Sequence, residues 1–309
     1  MFKIESLKGR DLTALSDLSQ TEFADLLESA LEIKKASKLG IRPELLKQKT
    51  LAMIFEKPSL RTRSTFDIGM YQLGGYSILL DQKGINLGVR ETIKDVAHNL
   101  ERWYDGIMAR TFAHSTIIEL AQEADIPVIN GLSDLTHPCQ LMADYLTMKE
   151  EFGELKGLKV AFVGDGNNMA NSHINAAVLA GTELTIACPE GYEPDMEIVE
   201  NARAQGANIK IDHGLKDAVV GADVLYTDVW VSMGQEEEAK ARKKAFKDYT
   251  ITPDWFELLS DRGIFMHDLP AHYGEECVQE TVYHPQSRVF PQAENRLHAQ
   301  KAVLYQTMG

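Results

Sequence analysis

The chain has 309 residues, 44% of them hydrophobic, and a net charge of −14 with a pI near 5.1. That length and apolar content support a sizeable core and about two domains. The negative charge argues against nucleic acid and against an anionic membrane surface as partners, so an anionic substrate has to be captured by a local basic site.

No apolar run is long enough to span a bilayer. The N-terminal MFKIESLKGRDL has neither the apolar core of a signal peptide nor the Arg/Ser bias of a transit peptide. Cys139, Cys188 and Cys277 are few and far apart. They suit a reducing cytoplasm rather than a disulfide framework or a zinc site.

In chain order, Ser19 to Glu22 reads as a capping box that opens an amphipathic helix through Phe23, Leu27, Ala30, Leu31 and Lys34, ending near Gly40. The apolar run Thr50 to Phe55 predicts a buried strand. Phe66, Ile68, Met70 and Leu73 then predict a helix that stops at Gly74 and Gly75. Between them, Ser59-Leu-Arg-Thr-Arg63 occupies a strand-to-helix turn. Hydroxyls, backbone N–H groups and guanidinium groups together suit a phosphate at a helix N-terminus; the same residues also fit an exposed basic turn with an ordinary cap.

Further strands are predicted at Tyr76–Leu80, Gly106–Ala109 and Ile126–Asn130. They alternate with a Gly-containing loop from Asp81 to Val89 and with helices over Glu91–Tyr104 and Ser115–Glu123. The segment Gly131 to Gln140 leads into a helix that ends near Gly153.

A second alternating block begins with the strand Leu158–Gly164. It continues through helix Met169–Leu179, strand Glu183–Ala187, helix Asp195–Gln205 and strands Asn208–Ile211, Asp223–Asp228 and Gly263–Met266. A last helix is expected over Glu294–Gln306.

Such alternation implies an α/β fold of two doubly wound domains, each a parallel sheet flanked by helices, joined near Glu150–Gly157. Ligands of open parallel sheets bind at the carboxyl ends of strands. Ser59–Arg63, Arg110, His137–Gln140, Gly164–Asn168, Asp228–Met233 and His267–Pro270 all fall there. An enzyme with its site in the cleft between domains is expected.

Four motifs in this order resemble the transcarbamylases, the aspartate/ornithine carbamoyltransferase superfamily, and most closely its ornithine branch. They are Ser59-Leu-Arg-Thr-Arg63, His137-Pro-Cys-Gln140, Asp228-Val-Trp-Val-Ser-Met-Gly234 and Glu294 through Lys301. The aspartate branch lacks the Ser-Met-Gly loop.

The resemblance implies transfer of the carbamoyl group from carbamoyl phosphate to the δ-amino group of ornithine, giving citrulline and phosphate. It implies no metal or organic cofactor. It assigns residues 1–150 to carbamoyl phosphate, 151–293 to the amino acid and 294–309 to a helix crossing back to the first domain. It further implies that Ser59, Leu60 through its N–H, Arg61 and Thr62 hold the phosphate. Arg110 bridges phosphate and carbonyl oxygens, His137 and Gln140 polarise the carbamoyl group, and Arg296 reaches in from the last helix. Asp268 and Leu269 belong beside the carbamoyl group. Asn168, Asp228, Ser232 and Met233 hold ornithine. The family is built as trimers, so a homotrimer is implied, with Asn86 in a loop that reaches a neighbouring subunit's site.

Two departures stand out. Asp268 replaces the cysteine of the family's His-Cys-Leu-Pro, and Asn86 replaces Gln or His. A carboxylate at 268 attracts an incoming ammonium but stabilises its non-nucleophilic form; it can also serve as the base for the amine. It therefore leaves open a paralogue for putrescine or a modified ornithine, or a non-catalytic relative that only binds the ligand.

Other features read as structural. Gly164-Asp-Gly-Asn-Asn168 lacks the third glycine of a dinucleotide fingerprint, because Met169 takes that position. His114, His173, His213 and His284 suggest surface or capping roles, and Cys139 suggests packing. The charged run Gln235–Lys244 suggests a solvated helix with i,i+4 pairs, or a mobile loop closing over the amino acid.

Overall fold

The computed structural model describes residues 7–81, 85–232 and 236–309. The chain divides into two compact units, one running to Leu146 and resuming at Glu294–Gly309, the other Thr147–Ala293. Each is built on a parallel sheet with flanking helices.

In the first unit, helix α1 (Gln20–Lys38) starts at the capping box read from the sequence. Ser19 Oγ accepts the Glu22 N–H, and the Glu22 carboxylate accepts the Ser19 N–H. The sheet has the order β2-β1-β3-β4, with β1 Thr50–Phe55, β2 Tyr76–Asp81, β3 Gly106–Arg110 and β4 Val128–Leu132. The helices between are α2 (Leu60–Gln72), α3 (Ile93–Leu100) and α4 (His114–Glu123), and α5 (Pro138–Phe152) follows β4. Strands β1 and β3 are buried on both faces, as a parallel sheet covered by helices requires. Ala52, Ile54, Ile107 and Ala109 form one core layer with Val96, Leu100, Ile117 and Leu120 of α3 and α4.

The second unit has the order β7-β6-β5-β8-β9. Its strands are β5 Lys159–Val163, β6 Glu183–Ala187, β7 Asn208–Asp212, β8 Val224–Thr227 and β9 Ile264–His267. Helices α6 (Asn168–Ala180), α7 (Met196–Ala204), α8 (Ala239–Ala245), the single turn α9 (Gln279–Val282) and α10 (Val289–Met308) complete the chain. The core on one face gathers Val163, Leu225, Phe265, Phe246 and Trp255. Phe162 and Tyr226 stack in adjacent strands.

Both strand orders reverse once: between β1 and β3 in the first sheet, and between β5 and β8 in the second. Helices leave the sheet to opposite sides at such a point, so their N-termini part and leave a crevice beyond the strand ends. The turns after β1 and β3 carry Ser59–Arg63 and Arg110. Those after β5 and β8 carry Gly164–Asn168 and Asp228–Ser232.

Three expectations are corrected. His173, expected at the surface, is fully buried, edge-on to Tyr226 at 4.4 Å between ring centroids. The last helix begins at Val289, not Glu294. The charged run holds a 3-10 turn at Glu236–Glu238 and then α8, and its Arg242 is buried rather than solvated.

Candidate active site

Two polar clusters form, one in each unit. The first begins where β1 turns into α2. Ser59 is the N-cap, and its hydroxyl accepts the Thr62 N–H at 3.2 Å. That bond opens the helix with its N-terminal N–H groups at the strand end, an arrangement that attracts anions. The Leu60 side chain is 76% exposed, so only its backbone can serve a ligand there.

Thr62 is the hub of this cluster. Its side chain is buried, and its Oγ1 accepts from Arg110 Nη1 at 3.3 Å and from Arg296 Nη2 at 3.0 Å. Arg296 also donates from Nη1 to Gln140 Oε1, and Gln140 Nε2 donates to Asp144 Oδ1 at 2.7 Å. Arg110, Gln140, Asp144 and Arg296 are all buried. Asp144 was not anticipated from the sequence. Its only signal is its position four residues after Gln140, on the same face of α5.

His137 precedes α5 on a loop fixed from behind. Asn130 Nδ2 donates to Thr13 O at 2.7 Å and to Thr136 Oγ1 at 3.2 Å, and the Ser133 N–H donates to Thr136 O at 3.0 Å. The imidazole pKa lies well below its ordinary value, first through burial and then through the guanidinium groups of Arg296, Arg110 and Arg61. A neutral ring beside three cations is a hydrogen-bond donor that does not add a fourth charge. Cys139, next to Pro138, points its thiol at Asn130 O, 3.4 Å away, and burial raises its pKa to about 12. It is a packed, unreactive thiol.

The second cluster lies in the other unit. Asn167 is the N-cap of α6: its Oδ1 accepts from Met169 N at 2.9 Å and Ala170 N at 3.2 Å, while its Nδ2 donates to Asp228 Oδ2 at 2.8 Å. The sequence singled out Asn168, the first residue of the helix; the contact to Asp228 belongs to its neighbour. Asp228 Oδ1 accepts the Val229 N–H at 2.7 Å. Burial, and then the charge of Asp268, push the Asp228 carboxyl well above the usual carboxylate range.

His267 is buried between Asp268 and Glu276. Its Nε2 lies 3.1 Å from Glu276 Oε1, and its Nδ1 accepts the Leu269 N–H at 2.8 Å. This is the geometry of the neutral Nε2–H ring. Burial lowers its pKa, but Asp268 and Glu276 outweigh burial and carry it to about 9. A proton on Nδ1 would exchange the Leu269 bond for one to Asp268 Oδ1, 3.4 Å away. Leu269 has φ +62°, costly for a branched residue and therefore held by its surroundings. The donor atoms of Asp228, His267 and Asp268 lie within 4.8 Å of one another. With both His267 nitrogens already engaged by Glu276 and Leu269, the carboxylates of Asp228 and Asp268 are the groups in this set that suit a cation such as an ammonium.

The Gly164–Asn168 turn serves the protein itself. A Cβ on Gly166 would lie 2.1 Å from Pro194 N and 2.2 Å from Glu193 C, so this glycine is required by the close packing of the chain at 193–194. Asp165 pairs with Arg242 at 2.8 Å. Arg242 also donates to Trp230 O at 3.3 Å and lies over the Tyr192 ring. Ser232 is half-buried after β8, Met233 lies outside the described residues, and Asn86 is exposed with φ +47°.

The family model "Aspartate/ornithine carbamoyltransferase, carbamoyl-P binding domain" matches residues 10–150, and "Aspartate/ornithine carbamoyltransferase, Asp/Orn binding domain" matches 156–307. The chain is 53% identical over 304 residues to the ornithine carbamoyltransferase of Deinococcus radiodurans, covering 98% of both chains. It is 47% identical over 310 residues to that of Thermococcus kodakarensis, covering 99% of this chain and 98% of that one. Among solved structures, ornithine carbamoyltransferase from Pyrococcus furiosus matches with a TM-score of 0.95 at 47% identity over 99% of each chain. That from Thermus thermophilus matches with 0.89 at 47% identity, over 97% of this chain and 99% of that one.

Proposed function

The chain belongs to the aspartate/ornithine carbamoyltransferase family, and we propose that it moves the carbamoyl group of carbamoyl phosphate to the δ-amino group of L-ornithine, releasing L-citrulline and phosphate. The observation that carries this reading is the convergence of Arg110 and Arg296 on Thr62, beside Gln140 and a neutral His137. Full-length relatives named for ornithine speak for that amine over putrescine or a modified ornithine.

In this reading the α2 N-terminus, Ser59, the Leu60 N–H, Arg61 and Thr62 bind the phosphoryl oxygens. Arg110 spans phosphoryl and carbonyl oxygens. His137, Gln140 and Arg296 donate to the carbamoyl oxygen, where charge builds as the carbonyl becomes tetrahedral; fixed donors stabilise that state most. Asn168, Asp228, Ser232 and Met233 hold ornithine, with Leu269 and Asp268 beside the reacting groups.

The amine arrives as an ammonium. It loses one proton before its lone pair attacks the carbamoyl carbon and a second as the C–N bond is completed. The C–O bond to the phosphoryl group breaks, and one of the two protons leaves with phosphate. Asp268, next to Asp228, is the proton acceptor in this scheme.

The reading extends to a homotrimer in the cytoplasm. Tyr71 on α2, with Tyr76 and Ile78 on the edge strand β2, expose apolar surface of the kind that subunits cover, and Asn86 is proposed to reach a neighbouring site. The free, buried cysteines suit a reducing compartment. Among the described residues no helix is long and apolar enough to cross a membrane.

The test is product formation from carbamoyl phosphate with ornithine, putrescine and aspartate in parallel. Citrulline from ornithine at far the highest kcat/KM supports the reading. Turnover confined to another amine, or no turnover with any, overturns it.

A further inference from the structure

Glu56 and Lys57 take no part in the scheme above, yet they grip the strand end that carries Arg110. Strand β1 pairs with β3 as far as Phe55 opposite Arg110, and one further rung follows, with the Glu56 N–H donating to Arg110 O at 2.9 Å. A continuing parallel strand would next offer its own carbonyl to the Phe112 N–H. The chain turns away instead at Lys57-Pro58, and the Glu56 carboxylate takes over, accepting the Phe112 N–H at 2.7 Å. The buried Lys57 ammonium lies 4.5 Å from the centre of the Phe112 ring, within cation–π range.

On its other edge, β3 shifts register against β4 between Ala109 and Arg110. The ladder on that side is therefore irregular where Arg110 leaves it. The Arg110 side chain ends at Thr62 Oγ1, in the phosphate cluster.

We infer that Glu56 is a positioning residue for Arg110, with the Lys57–Phe112 contact as a second clasp, and that together they tune the carbamoyl phosphate half of the site without touching the amine half. The inference rests on the carbamoyltransferase reading. Without the carboxylate, the Phe112 N–H loses its acceptor on the β1 side. The Thr111 N–H to Leu132 O (3.0 Å) and the Asp134 N–H to Phe112 O (3.1 Å) still hold the other edge, but the aim of the guanidinium at Thr62 loosens.

The experiment measures kcat and KM for each substrate in Glu56→Ala, Glu56→Gln and Phe112→Leu, and repeats Glu56→Ala in an Arg110→Lys background. Calorimetric titration with inorganic phosphate runs alongside. Glu56→Ala is expected to lower kcat/KM for carbamoyl phosphate about tenfold, the scale of one charge-assisted hydrogen bond, with KM for ornithine unchanged. Glu56→Gln retains an acceptor for the Phe112 N–H and recovers most of the loss. Phe112→Leu gives a smaller loss of the same kind. In the Arg110→Lys background the Glu56→Ala effect shrinks, because the two residues act as one unit.

Equal losses for both substrates, no rescue by Gln, or full additivity with Arg110→Lys overturns the inference. If Glu56→Ala does not fold, the Gln and Leu variants decide. An unaltered protein that makes no citrulline sinks the functional reading instead. Phosphate affinity still tests the brace in that case: a weaker affinity in the Ala variant, restored in the Gln variant, upholds it, and equal affinities refute it.

Discussion

Arg110 and Arg296, from the third strand and the last helix, donate to the same atom, Thr62 Oγ1. Two guanidinium groups that share one neutral acceptor repel each other. They are best satisfied when a doubly charged anion lies between their remaining N–H groups.

Thr62→Val keeps the shape and removes the acceptor. Carbamoyl phosphate affinity is expected to fall at least about tenfold, and the unliganded fold to lose about 2 kcal/mol because two buried charged donors lose a partner. Calorimetric titration and urea unfolding read the two effects. Arg61→Ala should abolish detectable carbamoyl phosphate binding by the same titration; retained binding would show that the phosphate sits elsewhere.

Asp228 holds its proton to a higher pH in the folded chain than in the unfolded one, through burial and the neighbouring Asp268. The native state then binds more protons than the unfolded state from the ordinary carboxylate pKa, about 4, up to the raised value. Stability falls as pH rises through that window. Asp268→Asn removes the like charge beside Asp228 and one of the two carboxylates that raise His267, so the fall with rising pH should be shallower than in the unaltered protein. Thermal melts from pH 5 to pH 9 measure this; identical slopes would count against the pairing of the two carboxylates. With Asp268→Cys, the pH dependence of citrulline formation should move, because a different group then accepts the ammonium proton.

His137 is expected to stay neutral throughout the working range, since burial and three guanidinium groups depress its pKa. Its ring resonances in a histidine-labelled sample should not shift between pH 5.5 and pH 8. A titration near the ordinary value of about 6.5 would mean that the ring is solvated and away from the cations.

Gly166→Ala places a methyl group against the main chain at Glu193 and Pro194. Main chain cannot yield as a flexible side chain can, so a loss of about 3 kcal/mol is expected. Denaturant unfolding of the full chain, with the slope compared to the parent, measures it.

The strand-to-helix turns were legible because they are local. The apolar run Thr50–Phe55 and the capping hydroxyl of Ser59 lie a few residues apart, and the structure puts both where the pattern did. Partners supplied by tertiary packing were not. Asp144 and Arg242 look like ordinary members of solvated helix faces, and only their contacts with Gln140 and Asp165 show otherwise. His173 carries no local sign that Phe162 and Tyr226 will enclose it. The early start of the last helix was hidden by Pro291, which reads as a breaker. It sits in the first turn, where its missing N–H has no helical partner to lose.

Arg296 comes 234 residues after Thr62, yet it fastens Thr62 and Gln140. A ribosome emits the cradle's other residues long before this one, and chains fold largely from the N-terminus as they emerge. An incomplete chain that stops short of Glu294 therefore carries the cradle around Thr62 with one guanidinium missing. On the proposed reading, such a chain is expected to hold carbamoyl phosphate more weakly than one that carries Arg296.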